Sequence, residues 1–319
     1  MQRDETVIVF GEDVVGGSLS EGGKEASGGV FGLTMGLWTE FGDNRVFDTP
    51  ISEAAIVGAA AGAAFAGMRP VAEIMFSDFM GLCMDQMYNQ AGKFKYMFGG
   101  KAKTPMVVRT TCGAGMSAAA QHSQSPYGMI TAMPGMKAVM PSNPYDAKGL
   151  LASCIRGEDP VVFFEHKLLY TDQGEVPDEP YTIPLGKGNL TRQGKDATIV
   201  ALSRMVGVAN GVADKLAGEG VTCDVIDPRT SSPLDEELIL ESVEETGRLI
   251  VVDEAPVRCG MARDIAGLVA SEAFEFLDAP IKTVTPPHTP VPFSPALEWS
   301  YIPGPDKIEA AVRETLEGI

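Results

Sequence analysis

Histidine is the scarcest chemistry-bearing residue of this chain, with three among 319 positions, beside two tryptophans. Proton chemistry near neutral pH therefore has few candidates, because imidazole, with an ordinary pKa of ~6.5, is the side chain most easily tuned for it. Positive charge is short as well. Twenty-five lysines and arginines face 43 acidic residues, for a net charge of −18. That balance speaks against nucleic acid as a partner, since a phosphate backbone demands a basic face. The five cysteines are scattered and form no C-x-x-C pair, which fits reduced thiols in a cytoplasm better than a disulfide framework or a zinc site. No apolar run nears the ~20 residues that cross a bilayer. The opening MQRDETVIVF lacks the charged-then-apolar layout of a signal peptide. A soluble, cytoplasmic protein without a membrane or nucleic-acid partner is expected, with room for about two domains.

Strand-like apolar runs alternate with helical stretches along the chain. VIVF (7–10) reads as a buried strand and leads into a glycine-rich run through Gly29. That run could cradle a phosphate but lacks a G-x-G-x-x-G pattern opening a helix, so it reads as a flexible loop at an interface. RVFD (45–48) is a short strand stopped by Thr49-Pro50. Residues 51–67 are almost wholly small and apolar apart from Glu53, and a helix apolar all round is expected to be buried. Glu53 falls in its first turn, where the helix dipole favours an acid while burial opposes ionisation, so a poised carboxyl with a perturbed pKa is expected. An exposed N-terminal acid would read the same.

PVAEIMF (70–76) is a strand, and Asp78 to Phe98 reads as one long helix with aromatic and methionine positions. TPMVVR, MKAVMPS and PVVFFEH add further strands. Such alternation implies parallel βαβ units and a doubly wound sheet. After Tyr170 the composition turns to proline, glycine and acids, and beyond it the alternation resumes. The fold class is therefore α/β with two domains, residues 1–175 and 195–319, joined by a linker at 176–194. Between the strands TPMVVR and MKAVMPS lies GAGMSAAAQHSQ (113–124), whose glycines end on His122. A general acid–base histidine and a hydrogen-bonded loop histidine are both compatible with that spacing.

Several motifs together are specific: DTPISE before the small-residue helix, DQ in the next helix, AAQHSQ, NPYDAKGLL, FFEHKLLY, SPLDEELILESVEETGRLIVVDEA and HTPVPFSPALE. In this order they resemble, over nearly the whole chain, the beta subunit of the thiamine-diphosphate-dependent component of 2-oxo acid dehydrogenase complexes. FKYMFGGKA, EHKLLY and HTPVPFS resemble its acetoin dehydrogenase branch. The resemblance implies a pyrimidine-type thiamine-diphosphate-binding domain followed by a transketolase C-terminal-like domain. It places the carboxyl that hydrogen-bonds a ring nitrogen of the cofactor's aminopyrimidine on Glu53, and the aromatic residue stacked on that ring on Phe79. It gives His122 the protons of the substrate oxygen and the lipoyl sulfur, with Ser123 and Gln124 orienting the loop. His166 and His288 become structural or interface residues.

A monovalent cation, potassium, is implied at Met106, Cys154, Ile155, Gly157 and Asp159, largely through backbone carbonyls. The chain has no G-D-G…N motif for diphosphate and magnesium. In the family that motif belongs to an alpha subunit, so an α2β2 heterotetramer with a site at the alpha–beta interface is implied, docked on a lipoyl acyltransferase core. The implied reaction is cleavage of acetoin to acetaldehyde with transfer of the acetyl unit to lipoamide. A pyruvate or branched-chain 2-oxo acid is the alternative substrate. A split transketolase C-terminal subunit and a non-catalytic scaffold are remoter readings, the first disfavoured by the acidic balance.

Overall fold

The computed structural model describes residues 1–16 and 28–317. Most of the glycine-rich run read as an interface loop lies outside the described residues. The first half builds β1 (Val7–Gly11), α1 (Leu37–Phe41), β2 (Val46–Asp48), α2 (Glu53–Phe65) and β3 (Arg69–Phe76). After two irregular helical turns come α3 (Gly92–Met97), β4 (Val107–Cys112), α4 (Tyr127–Thr131), β5 (Lys137–Val139), α5 (Pro144–Arg156) and β6 (Val161–His166). These strands run parallel in the order β5-β6-β4-β3-β1-β2. Their apolar runs are buried on both faces, as parallel strands covered by helices require.

The second half holds β7 (Asn189–Arg192), β8 (Ala197–Ala201), α6 (Met205–Ala217), β9 (Cys223–Asp227) and β10 (Thr230–Ser232). It continues with α7 (Glu236–Thr246), β11 (Leu249–Val252), α8 (Met261–Glu272), β12 (Lys282–Val284), α9 (Pro295–Tyr301) and α10 (Pro305–Leu316). Its sheet has the order β12-β11-β8-β9-β7, parallel except for the antiparallel edge strand β7. β7 occupies residues read from composition as linker. β10 leaves the second half altogether and pairs antiparallel with β5, making a seventh strand of the first sheet. One apolar cluster crosses between the halves, joining Met133, Met136 and Met140 to Ile226, Ile239 and Met261.

Two expectations change. The stretch from Asp78 to Phe98 is broken into a 3-10 turn at Ser77–Cys83, a π-helical turn at Gln86–Ala91 and α3. Asp78 turns its carboxylate toward the loop around Gln124 instead of outward, and Gly92 packs so close that a Cβ there would lie 3.2 Å from the Met87 carbonyl. π-helical turns of this kind often mark functional positions. The small-residue helix α2 is buried on one face only, through Ile56, Val57, Ala60, Ala61 and Ala64. Ala54, Ala55, Ala59, Gly62 and Phe65 are exposed in the single chain, because the sheet covers only one side of the helix.

Candidate functional site

Parallel α/β sheets bind ligands outside the carboxyl ends of their strands, and Glu53, Phe79 and His122 collect there, whereas the cation positions Met106 and Asp159 lie at the amino ends of β4 and β6. Glu12 and Asp13 follow β1, Glu53 follows β2, Phe79 follows β3, the loop bearing His122 follows β4, and Lys167 follows β6. The turn between β2 and α2 is pinned by Thr49 N–H to the Gly11 carbonyl at 2.9 Å and by Val15 N–H to Asp48 Oδ1 at 2.7 Å. Glu53 therefore emerges half-buried at the first position of α2. Burial, then the charges of Asp13 and Glu53, push the Glu12 carboxyl above its ordinary pKa, so these acids share one neighbourhood. Cys83 belongs to the same surroundings: burial, then the Glu53 charge, lift its thiol to about 12. Because Cys83 ends the 3-10 turn that carries Phe79, Glu53 and Phe79 flank one region.

Phe79 and His122 meet directly. Their rings stand edge-to-face with centroids 5.3 Å apart, and Phe76 meets His122 likewise at 4.7 Å. The loop below the histidine is closed by Gly113 N–H to the Gln124 carbonyl at 3.1 Å. Asp78 Oδ1 accepts from the N–H groups of Ser123 and Gln124 at 3.3 Å each and from the Gln124 amide at 2.9 Å. Gln124 thus orients the loop through its side chain. Ser123 does so through its backbone, its buried hydroxyl having no hydrogen-bond partner among the described residues.

Sequence reasoning missed Lys167. It is 3 % exposed, donates to the His122 carbonyl, and holds its ammonium 5.5 Å from the centre of the Phe76 ring. Burial lowers its pKa. A lysine inside EHKLLY offered no periodicity or charge pattern that would have marked it.

Beneath the same strand ends lies a buried ion triad. Arg109 donates to Glu165 from Nε at 3.0 Å and Nη2 at 2.8 Å, and Nη1 pairs with Glu73 Oε2. Burial works against the guanidinium charge, but Glu165 and Glu73 outweigh it and hold the pKa above the ordinary value. Tyr170 donates to Glu165 Oε2 at 2.8 Å, completing the network.

His166 is buried, at 1 % exposure, and faces Glu254 from β11's end with Nε2 3.1 Å from Oε2. Its Nδ1 accepts from Leu168 N–H at 3.2 Å, so Nε2 is the nitrogen that donates to the carboxylate. Glu254 also accepts from Ala114 N–H at 2.6 Å. Burial would raise the Glu254 pKa, but His166, the Ala114 N–H and Arg204 outweigh it and hold the carboxyl below its ordinary value. His288 is exposed and takes no part in this cluster.

The cation positions have other partners. Arg69 Nη1 donates to the carbonyls of Ile155 at 3.1 Å and Gly157 at 2.7 Å. The Cys154 carbonyl accepts from Gly157 N–H at 3.2 Å and the Met106 carbonyl from Val161 N–H at 3.0 Å. The Asp159 carboxylate is held by Lys95 at 2.6 Å and Lys137 at 3.0 Å. A backbone carbonyl has two lone pairs, so these hydrogen bonds are compatible with the implied potassium ion.

The chain matches the family described as "Transketolase, pyrimidine binding domain" over residues 1–173 and "Transketolase, C-terminal domain" over residues 186–308. It is 56 % identical to the acetoin:2,6-dichlorophenolindophenol oxidoreductase subunit beta of Bacillus subtilis (strain 168), covering 99 % of this chain and 93 % of that one. The chain belongs to the beta subunits of the acetoin and 2-oxo acid dehydrogenase family. To another member, the pyruvate dehydrogenase E1 component subunit beta of Bacillus subtilis (strain 168), it is 42 % identical, over 99 % of this chain and 94 % of that one. A solved split-gene transketolase, an inactive beta4 tetramer, superposes with a TM-score of 0.78 at 24 % identity, covering 99 % of this chain and 93 % of that one. That likeness establishes the two-domain fold. Like its relatives, this beta subunit is an α/β protein with parallel-dominated sheets, and among the described residues no helix is long and apolar enough to cross a membrane.

Proposed function

We propose that this chain is the beta subunit of a thiamine-diphosphate-dependent acetoin dehydrogenase, cleaving acetoin to acetaldehyde and passing the acetyl unit to lipoamide in the cytoplasm. The observation that carries the reading is the convergence, on one carboxyl edge, of a helix-start glutamate, an aromatic ring and an imidazole. The residues fit the cofactor's aminopyrimidine end. Glu53 offers a half-buried carboxyl for a ring nitrogen, Phe79 an aromatic face, and the buried Gln86 Oε1 lacks a hydrogen-bond partner among the described residues. When bound, thiamine diphosphate supplies the nucleophilic carbon that the reaction needs.

Around it, Glu53 holds the proton at the aminopyrimidine nitrogen, Phe79 fixes the ring plane, and His122 moves protons at the substrate oxygen and the lipoyl sulfur. A positioned acid–base group of this kind is typically worth ~10²–10⁴-fold in rate. The diphosphate and Mg²⁺ fall to an alpha subunit in an α2β2 assembly. An apolar surface supports such a partner: Ile51, Leu82, Tyr96, Met97 and Phe98 are 73, 65, 90, 66 and 58 % exposed. The bare alanine face of α2 adds to it, and exposed apolar patches of this kind mark interaction sites. A lipoyl acyltransferase core is the proposed docking platform. Identity of 56 % to the acetoin relative against 42 % to the pyruvate one favours acetoin over a 2-oxo acid.

Glu53→Gln tests the reading in the complex assembled with its alpha subunit. Turnover should fall by about 10²-fold or more, while thiamine diphosphate still binds with near wild-type affinity by isothermal titration calorimetry. Wild-type turnover in that variant overturns the assignment.

A further inference from the structure

Two buried carboxylates of the C-terminal half grip the loop that ends on His122. The loop's first turn takes four residues into the left-handed region: Gly113 at φ +89°, Gly115 at +108°, Ser117 at +53° and Ala119 at +61°. For Ser117 and Ala119 that conformation is costly, and alternation through it turns neighbouring N–H groups toward one side, where an anion can sit. The anions here come from the other half of the chain. Glu254, at the end of β11, accepts from Ala114 N–H at 2.6 Å. Glu298, on α9, accepts from Gly115 N–H through Oε1 and from Ser117 N–H through Oε2, both at 2.8 Å. Glu298 is 0 % and Glu254 5 % exposed.

The two acids are not equivalent. Glu254 has His166 and, at 3.8 Å, Arg204 as cationic or donor partners. Glu298 has no ion pair among the described residues, and its hydrogen bonds go to the turn itself, with the Ser117 hydroxyl at 3.4 Å. A fully buried carboxylate is expensive unless donors converge on it, and Lys167 feels the Glu298 charge without pairing with it. Fixing this turn is the return. At the loop's far end Lys167 holds the His122 carbonyl and Asp78 the next two N–H groups.

We propose that Glu298 is a positioning residue: by holding the Gly115 and Ser117 N–H groups it sets where His122 stands, so that the C-terminal domain tunes the acid–base step. This rests on the reading of His122 as the working histidine. Glu298→Gln is the sharp variant, because its amide NH₂ must face one of two backbone donors while the side-chain volume is kept.

In the complex assembled with the alpha subunit, Glu298→Gln should lower kcat by about 10²-fold, the scale of a displaced catalytic group. KM for acetoin and thiamine diphosphate affinity should stay within about twofold, as expected when no ground-state binding is lost. Amides 114–119 should exchange with deuterium faster than in wild type. Glu298→Asp, which keeps the charge, should lose less and serves if Glu298→Gln assembles poorly.

The pair with His122→Ala separates the two ideas. If Glu298 acts through His122, the double variant is no slower than His122→Ala alone. Multiplicative losses, or unchanged exchange of amides 114–119 in Glu298→Gln, overturn the positioning role. Wild-type turnover in His122→Ala alone overturns the underlying reading instead.

Discussion

Replacing Arg109 by methionine removes the centre of the buried triad and leaves two carboxylates facing each other. Arg109 is 8 % exposed, and its guanidinium makes three charged hydrogen bonds, two to Glu165 and one to Glu73. Glu73 is already pushed above its ordinary pKa by burial, with the Glu165 charge adding and Arg109 opposing. Taking one partner from a buried ion pair costs about 3–5 kcal/mol, because an uncompensated charge stays behind. At about 2–4 °C per kcal/mol for domains of this size, the midpoint of thermal unfolding should drop by roughly 6–20 °C at pH 7. The drop should shrink at pH 5, where the orphaned carboxyls take up protons. The triple variant Arg109→Met/Glu73→Gln/Glu165→Gln should recover most of it, since no charge is stranded. Scanning calorimetry of the assembled protein reads all three. A midpoint for Arg109→Met within about 2 °C of wild type at pH 7 would refute the picture of a desolvated, mutually dependent triad.

Two further perturbations follow from the same region. Burial raises the Asp253 carboxyl to about 7 from an ordinary 3.8. Between those values the folded protein keeps a proton that the unfolded chain has released, so stability falls as pH rises through that window. Asp253→Asn removes this loss, so its stability relative to wild type should improve by a few kcal/mol between pH 4 and 8, at about 1.4 kcal/mol for each tenfold change in proton affinity. Denaturant titrations in which that difference stays constant with pH would contradict it. Gly113 stands at φ +89°, and a Cβ there would lie 2.0 Å from the His166 Nε2. Gly113→Ala should therefore cost about 1–2 kcal/mol from the backbone alone, and more as the His166–Glu254 pair is displaced. A stable, fully active Gly113→Ala protein would show that the loop has slack that the structure denies.

The alternation of strands and helices was legible because continuous apolar runs such as VIVF and VVFF are what doubly covered parallel strands need. Glu53, Phe79 and His122 stood out through motifs, and the topology brings all three to one edge of the sheet. What escaped was whatever depended on distant partners. Glu254 and Glu298 reach the loop across 140 and 183 positions of sequence, and PALEWSY looks like a surface helix until its glutamate is found at 0 % exposure. β10 is three polar-hydroxyl residues, Thr230–Ser232, with no apolar signature, and its pairing with β5 is decided by tertiary contact. The full burial expected for α2 failed for a related reason. Composition reports how apolar a helix is, but not that its second face belongs to a surface the single chain leaves bare.

The most direct test of the account is a dye-reduction assay on the complex co-expressed with its alpha subunit. Acetoin, pyruvate and a branched-chain 2-oxo acid would be compared side by side with thiamine diphosphate and Mg²⁺ present or withheld. Turnover should require thiamine diphosphate and be selective for acetoin. Cofactor-dependent turnover of a 2-oxo acid in preference to acetoin would contradict the substrate, and no cofactor-dependent turnover in a well-assembled complex would contradict the function itself.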